Sequence, residues 1–171
     1  MELKEACKYA LYKALLSGNE LAKSTLTKVI FLAEYWMAKK TGKTCFNLPW
    51  YYDEYGPYLK IVTDSIHNEP DIKISARLRG FGQDTISKFY TIEPISETDY
   101  SLDNKIFENF IDEIIESYKI LGYKEFINFV YDSYPIRKSE RFSNLDLEAL
   151  AELERQQELE SIKSVHRILN V

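Results

Sequence analysis

The sequence predicts an α+β fold that is mainly helical, a winged helix-turn-helix-like domain with a small β-hairpin and a C-terminal helical extension. Three observations carry this. Apolar residues recur at helical steps on both sides of the middle of the chain, residues 72–92 switch to a period of two, and an aromatic run, Trp50-Tyr51-Tyr52-Asp53-Glu54-Tyr55-Gly56-Pro57-Tyr58, separates two helical segments with a sharp change of direction. The order is two helices, a short strand, a third helix and a two-stranded hairpin in the position of a wing.

Leu3, Ala6, Cys7, Ala10, Leu11, Ala14 and Leu15 make one apolar stripe, so a first helix runs to Gly18 with Lys4, Lys8 and Lys13 opposite. Ser24 is the expected cap of a second helix, whose buried side is Leu26, Val29, Ile30, Ala33, Trp36 and Met37 and whose stop is Gly42. Lys39, Lys40 and Lys43 suit its carboxyl end. Phe46, Leu48, Trp50 and Tyr52 alternate as an extended segment. Gly56 permits a turn and Pro57 is expected to open a third helix, because its fixed φ and missing N–H suit a first helical turn. That helix buries Tyr58, Ile61, Val62, Ser65 and Ile66 and stops at Asn68-Glu69-Pro70.

Ile72, Ile74, Ala76 and Leu78 alternate with Lys73, Ser75, Arg77 and Arg79; Gly80-Phe81-Gly82 permits a reversal, and Thr85 to Ile92 returns. The expected hairpin has one apolar and one basic face. Helical spacing resumes at Ile106, Phe107, Phe110, Ile111, Ile114, Ile115 and Tyr118 up to Gly122, then at Phe126, Ile127, Val130, Tyr131 and Tyr134 up to Pro135. From Asn144 onward Leu147, Leu150, Leu153, Leu159, Ile162, Val165 and Leu169 are scattered among Glu and Gln, a thinly apolar tail suited to a partner or a second copy. The domains are therefore read as a core over 1–135 and a C-terminal helical extension over 136–171.

With 171 residues, 45% of them hydrophobic and 14% aromatic, the chain can bury a core without metals or disulfides. Two cysteines far apart match no ligand or redox spacing, and no stretch reads as a signal sequence or membrane span, so a cytoplasmic protein that binds neither membrane nor cofactor is expected. The net charge of −5 is unevenly spread: residues 1–92 hold 13 Lys and Arg against 10 Asp and Glu, residues 93–171 hold 9 against 17, giving +3 and −8. Only the first part could offer phosphate a basic surface.

Lys73, Arg77, Arg79 and Lys88 on the hairpin, with Lys60, Thr63 and His67 on the third helix, are the candidates for contact with double-stranded DNA, although Asp64 and Glu69 beside them oppose it. Asp71-Ile72-Lys73 has the acid-x-lysine spacing of metal-dependent nucleases, with Asp53 or Asp64 as a second carboxylate, a spacing common by chance. Glu108, Asp112 and Glu116 share a helix face that reads as solvated acid, since no Glu-x-x-His accompanies it. His67 and His166 are isolated and no serine sits in a nucleophile elbow, so no catalytic constellation is present and no enzyme is expected. Among 13 tyrosines, Tyr51, Tyr52, Tyr55 and Tyr58 could make a stacking or protein-binding surface, because such rings supply contact area at small entropic cost, and Tyr51, Tyr52 and Tyr58 are its candidate residues; packing around the Gly-Pro turn competes for them.

Lys28-Val29-Ile30-Phe31-Leu32-Ala33-Glu34-Tyr35-Trp36 with Gly42, Trp50 with Tyr55-Gly56-Pro57-Tyr58, and Val130-Tyr131-Asp132-Ser133-Tyr134-Pro135 together resemble the SocA-like or Panacea domain and its YwgA-like relatives in archaea and bacteria. The resemblance implies a small prokaryotic or viral intracellular protein without enzymatic chemistry, an antitoxin or adaptor that binds a partner protein to neutralise it or deliver it for degradation. The long acidic tail and the basic hairpin depart from the better-known antitoxins of that family. The expected function is thus a non-enzymatic protein-binding module, and the alternative is a winged-helix DNA-binding transcriptional regulator. A homodimer through the C-terminal helices is the further partner expected.

Overall fold

A computed structural model describes residues 1–79, 85–95 and 100–169, except for the side chains of Arg79, Thr85 and residues 166–169. The order is α1 (Leu3–Leu16), β1 (Leu21–Ala22), α2 (Lys23–Thr41), β2 (Trp50–Asp53), β3 (Gly56–Tyr58), α3 (Lys60–Asp64), β4 (Ile72–Arg79), β5 (Thr85–Ile92), α4 (Lys105–Tyr131), α5 (Tyr134–Lys138), β6 (Ser143–Leu145) and α6 (Leu147–Leu169). The strands form two antiparallel sheets, ordered β1-β5-β4 and β3-β2-β6. The class is α+β and mainly helical, as the sequence predicts. Among the described residues no helix is long and apolar enough to cross a membrane.

α2 is the axis of the molecule. Every residue from Thr25 to Tyr35 is buried, not only the side marked by Leu26, Val29, Ile30 and Ala33. A helix apolar all round is one that other elements enclose, and α1, α3, α4, α6 and strands of both sheets pack on this one. Phe31 meets Trp50 edge-on at 5.3 Å, and Trp36 meets Phe110 at 5.7 Å. Enclosure also buries Glu34, whose carboxylate accepts the backbone N–H of Cys45 at 2.8 Å and of Phe46 at 3.3 Å and so ties the loop after α2 back onto the helix.

The reversal between β2 and β3 corrects the expectation for Pro57. Asp53 pairs with Gly56 and Tyr52 with Pro57, so the chain turns at Glu54-Tyr55 and Pro57 lies in the return strand rather than opening a helix. Gly56 closes the turn at φ 99, a region open to glycine. β3 is an edge strand, where a missing N–H leaves no partner unpaired. α3 begins only at Lys60, is five residues long, and buries Val62 and Thr63 while Ile61 stays exposed. Phe46 and Leu48 precede the strand rather than form it. The cap of α2 is Ala22, with no side-chain hydrogen bond, so Ser24 lies inside the helix.

The hairpin forms in the expected place with Ile72 opposite Ile92, Ile74 opposite Tyr90, Ala76 opposite Lys88 and Leu78 opposite Ile86; the Gly80-Phe81-Gly82 reversal lies outside the described residues. Alternation predicts one buried face along its whole length, yet only Ile72, Tyr90 and Ile92 at its root are buried, while Leu78 and Ile86 are 70% and 64% exposed. The root is fixed by Asp71, a buried carboxylate that accepts from Lys8 Nζ of α1 at 2.8 Å and from the Tyr100 hydroxyl at 2.9 Å. Burial opposes its charge, but these two donors hold the carboxyl below the ordinary range. Tyr100 in turn stacks on Tyr12 of α1 at 4.9 Å.

α4 breaks at Gly122 (φ 73, ψ 175), the predicted end of its first arm. Pro135 does not merely end a stripe; it stands in the first turn of α5, with Tyr134 and Ile136 buried beside it. The extension that begins at residue 136 is not detached from the rest over its first part. β6, which the sequence did not announce, pairs with β2, and Leu147 and Ala151 of α6 are buried. Glu148, Glu154 and Glu158 meet the lysine-rich end of α2: Lys43 to Glu148 at 2.8 Å, Lys39 to Glu154 at 2.9 Å and to Glu158 at 2.7 Å. Arg155 donates to the Ala38 and Lys39 carbonyls at 3.3 and 3.1 Å, closing the end of α2 from the side.

Burial pushes the Glu34 carboxyl up to about 7 against the pull of its two N–H donors. The folded state therefore binds more protons than the unfolded chain between about pH 4.5 and 7, and Glu34 lowers stability as pH rises through that window. Urea midpoints measured across it should show this decline in the native protein and a flatter profile in Glu34→Gln. Glu34→Ala, which leaves both N–H groups without an acceptor, should lose about 2–3 kcal/mol.

Candidate functional site

A cleft of about 410 Å³ opens where the N-terminus of α2, the β2–β3 reversal and β5 come together. Ala22, Lys23, Ser24, Thr27 and Lys28 supply one wall, Asp53 and Tyr55 to Tyr58 a second, and Ile86, Ser87 and Lys88 the third. Residues 24, 27 and 28 share a helix face by their spacing. The first turn of α2 has neither a side-chain cap nor an acidic residue, so its backbone donors keep the partial positive charge of a helix start.

Lys28 is the unusual member. Only 4% of it is exposed, yet it lines the cleft, and it forms no ion pair with any described residue. Burial pushes its ammonium down to about 8. Gly56 lies beside its stem: a Cβ at Gly56 would stand 3.4 Å from Lys28 Cε and 3.5 Å from the Tyr131 hydroxyl. Those are ordinary contact distances, so it is the positive φ of 99 that calls for glycine here. Lys23 Nζ lies 5.8 Å from the Tyr58 ring centroid on the outer edge of the cleft.

Sequence-predicted residues separate by face. Tyr51 lies opposite Tyr58 across β2 and β3, so the two share the outer side, while Tyr52, opposite Pro57, is buried. Tyr55, the fourth ring weighed for this surface, is at 74% exposed the most open ring of this region. Its place at the tip of a two-residue reversal explains that. Ile86 was missed, because the alternation of the hairpin implies a buried face.

The basic candidates do not share one surface. Lys73 and Arg77 lie on one face of the hairpin, and Lys88, opposite Ala76, lies on the other, where it enters the cleft. The side chain of Arg79 lies outside the described residues. Lys60 pairs with Asp64 at 3.2 Å, Lys73 with Glu93 at 3.4 Å, and Arg77 with Glu20 while its guanidinium sits 5.1 Å over Phe89. Thr63 is buried, so it cannot reach a groove, whereas His67 is exposed.

The candidate metal residues are engaged elsewhere. Asp71 is inside the root of the hairpin, and Lys73 is with Glu93. Glu108 accepts the Leu102 N–H at 2.6 Å and Asp112 accepts from Tyr9 at 2.7 Å. Glu116 pairs with Lys119 at 3.3 Å. Among the described residues no three His, Cys, Asp or Glu side chains gather to hold a metal ion. His166 has its side chain outside the described residues.

Lys28, Gly56 and Tyr131 each come from a different one of the three stretches that carried the resemblance, and the fold brings Lys28 and Tyr131 to Gly56. A mainly helical α+β domain assembled around such a junction defines the class. The antitoxin SocA-like, Panacea domain family matches residues 26–135, more than half of the chain, and the protein belongs to that family. No curated protein and no solved structure matches it.

The lowered pKa gives Lys28 a clear stability signature. The folded state releases its proton near pH 8 while the unfolded chain keeps it to 10.5, so the native protein gains stability as pH rises between those values. Lys28→Met should raise stability at pH 7 by about 2 kcal/mol, and thermal unfolding at pH 10.5 should find that advantage gone. Gly56→Ala, strained at φ 99, should cost about 1–3 kcal/mol.

Proposed function

We propose that the protein is the antitoxin or adaptor member of a protein pair, acting without enzymatic chemistry by binding its partner on the outer side of the β2–β3 reversal and the neighbouring hairpin. Membership of the antitoxin SocA-like family supports the type of role. The observation that carries the choice of surface is the exposure of apolar and aromatic side chains around one opening: Tyr55, Tyr58 and Ile86, with Leu78 beside Ile86 in the hairpin register. Exposed apolar groups collected in one place mark interaction sites, and tyrosines bind with little loss of side-chain entropy. Tyr51, next to Tyr58 on the same side, extends the patch. Tyr52 supports the sheet from within.

The winged-helix-like order of elements remains the frame of this reading, with the hairpin as an arm for a protein rather than for a groove. No observation favours the DNA-binding alternative, since Lys60, Lys73 and Arg77 face carboxylates and Lys88 points to another side. The proposal gives the second half of α6 to a homodimer contact, since Gln156 to Val165 are exposed and Leu159 and Val165 are more than half open.

Purification of the tagged protein from its native host should return a stoichiometric partner whose toxicity is relieved on co-expression. Tyr55→Ala combined with Ile86→Asp should weaken the complex at least about tenfold in titration calorimetry without lowering the melting temperature; an unchanged affinity would remove this surface from the proposal. Sedimentation should show a dimer that Leu159→Glu with Val165→Glu converts to monomer.

A further inference from the structure

We propose that the cleft at the start of α2 binds a phosphate monoester, its phosphoryl group held by Lys28, Lys88 and the first backbone N–H groups of α2, and the rest of the small molecule lying against Tyr55, Tyr58 and Ile86. This goes beyond the partner-binding reading and concerns the protein alone.

Two independent features meet in the cleft. The first is the uncapped N-terminus of a 19-residue helix with no acidic residue in its first turn, a geometry that favours anions because unpaired donors and the helix dipole act together. The second is Lys28, nine-tenths and more buried, on the cleft wall and without a counter-ion among the described residues. An unpaired buried ammonium is unfavourable in the empty protein, and a charge-assisted contact with an anion would remove that penalty. Gly56, on the second wall, lies beside the Lys28 stem. Lys88 enters from the facing strand, and the half-buried Lys23 lies on the rim.

The charge count favours a dianion over a carboxylate. Three lysines line the cleft with a single acidic residue, Asp53, and one Asp53 oxygen already accepts the Glu54 N–H at 2.8 Å. The volume of about 410 Å³ exceeds what one phosphate fills and falls in the range of small-molecule sites. The surplus space is bounded by Tyr55, Tyr58 and Ile86, which suits an apolar or planar ester group.

The test is titration of the full chain with inorganic phosphate, phenyl phosphate and benzoate, followed by calorimetry and by ³¹P line broadening. Saturable binding of phenyl phosphate is expected, with a dissociation constant on the order of 0.1–1 mM. Lys28→Met should weaken it at least about tenfold and Lys88→Glu by about three- to tenfold. Lys88 is exposed, so Lys88→Glu reports on the site with the fold intact, and the melting temperature of Lys28→Met confirms its folding. Tighter binding of phenyl phosphate than of inorganic phosphate supports an ester, and equal binding supports free phosphate in the same seat. No saturable binding of either by about 10 mM, binding unchanged in both variants, or benzoate bound as tightly as phenyl phosphate would overturn the assignment. Because no partner is present in the titration, its failure leaves the partner-binding reading standing.

Discussion

Complete enclosure of α2 is the constraint on which the other elements depend. A helix with one apolar stripe can lie on a surface, but one buried from Thr25 to Tyr35 must be surrounded. α1 and α4, the start of α6, and strands from both small sheets supply that enclosure. The short β1 before α2 and the late β6 have the same logic: each fixes, through backbone hydrogen bonds, a segment that covers part of the central helix or its flanks. The stability of the fold is thus concentrated around an element that the family match itself covers from residue 26.

Enclosure has different consequences for the two ionisable groups that α2 carries into the interior. Glu34 meets two backbone donors from the loop that follows the helix, so its burial closes a connection. Lys28, less than two turns earlier on the helix, lies beside Gly56 and pairs with no carboxylate among the described residues. Burial of an unpaired charge is among the more unfavourable arrangements a core can hold. A hydrophobic side chain of similar length would fill the same space beside Gly56. The presence of lysine there is therefore not accounted for by packing, and the opening of the cleft beside it is the feature that gives the amine a use.

Much of this was legible in the sequence, and the exceptions have physical causes. The helices α1, α2 and α4 announce themselves through period and glycine stops, and the hairpin through its period of two. The role of Pro57 was misread because a proline suits both a first helical turn and an edge strand; the pairing of Tyr52 with Pro57, a contact across a turn, decides between them. The buried face of the hairpin was overextended because alternation records which side chains share a face, not how far the body reaches beneath it, and Leu78 with Ile86 lie beyond that reach. Lys88 was grouped with Lys73 and Arg77 by composition, whereas the register, which places it opposite Ala76, is a property of the pair of strands. Tyr52 and Tyr51 could be assigned to opposite sides by parity, but only the position of the core says which side is inside.

The uneven charge of the chain follows from the same architecture. The basic excess before residue 92 and the acidic excess after it look, in sequence, like two surfaces awaiting external partners. In the fold a share of them meet. Lys39 and Lys43 at the end of α2 stand against Glu148, Glu154 and Glu158 of α6, and the Tyr35 hydroxyl also donates to Glu154. Positive side chains at a helix carboxyl end already complement its dipole, so carboxylates brought to them complete an arrangement that holds the extension along the central helix. Individually such exposed pairs contribute little, but Arg155 adds hydrogen bonds to the last carbonyls of α2, and Leu147 and Ala151 add burial. The acidic first half of α6 is consequently an intramolecular clamp. Any surface this chain offers to another molecule has to be sought where charges and apolar groups are left uncovered, as they are at the opposite end of α2 and on the exposed second half of α6.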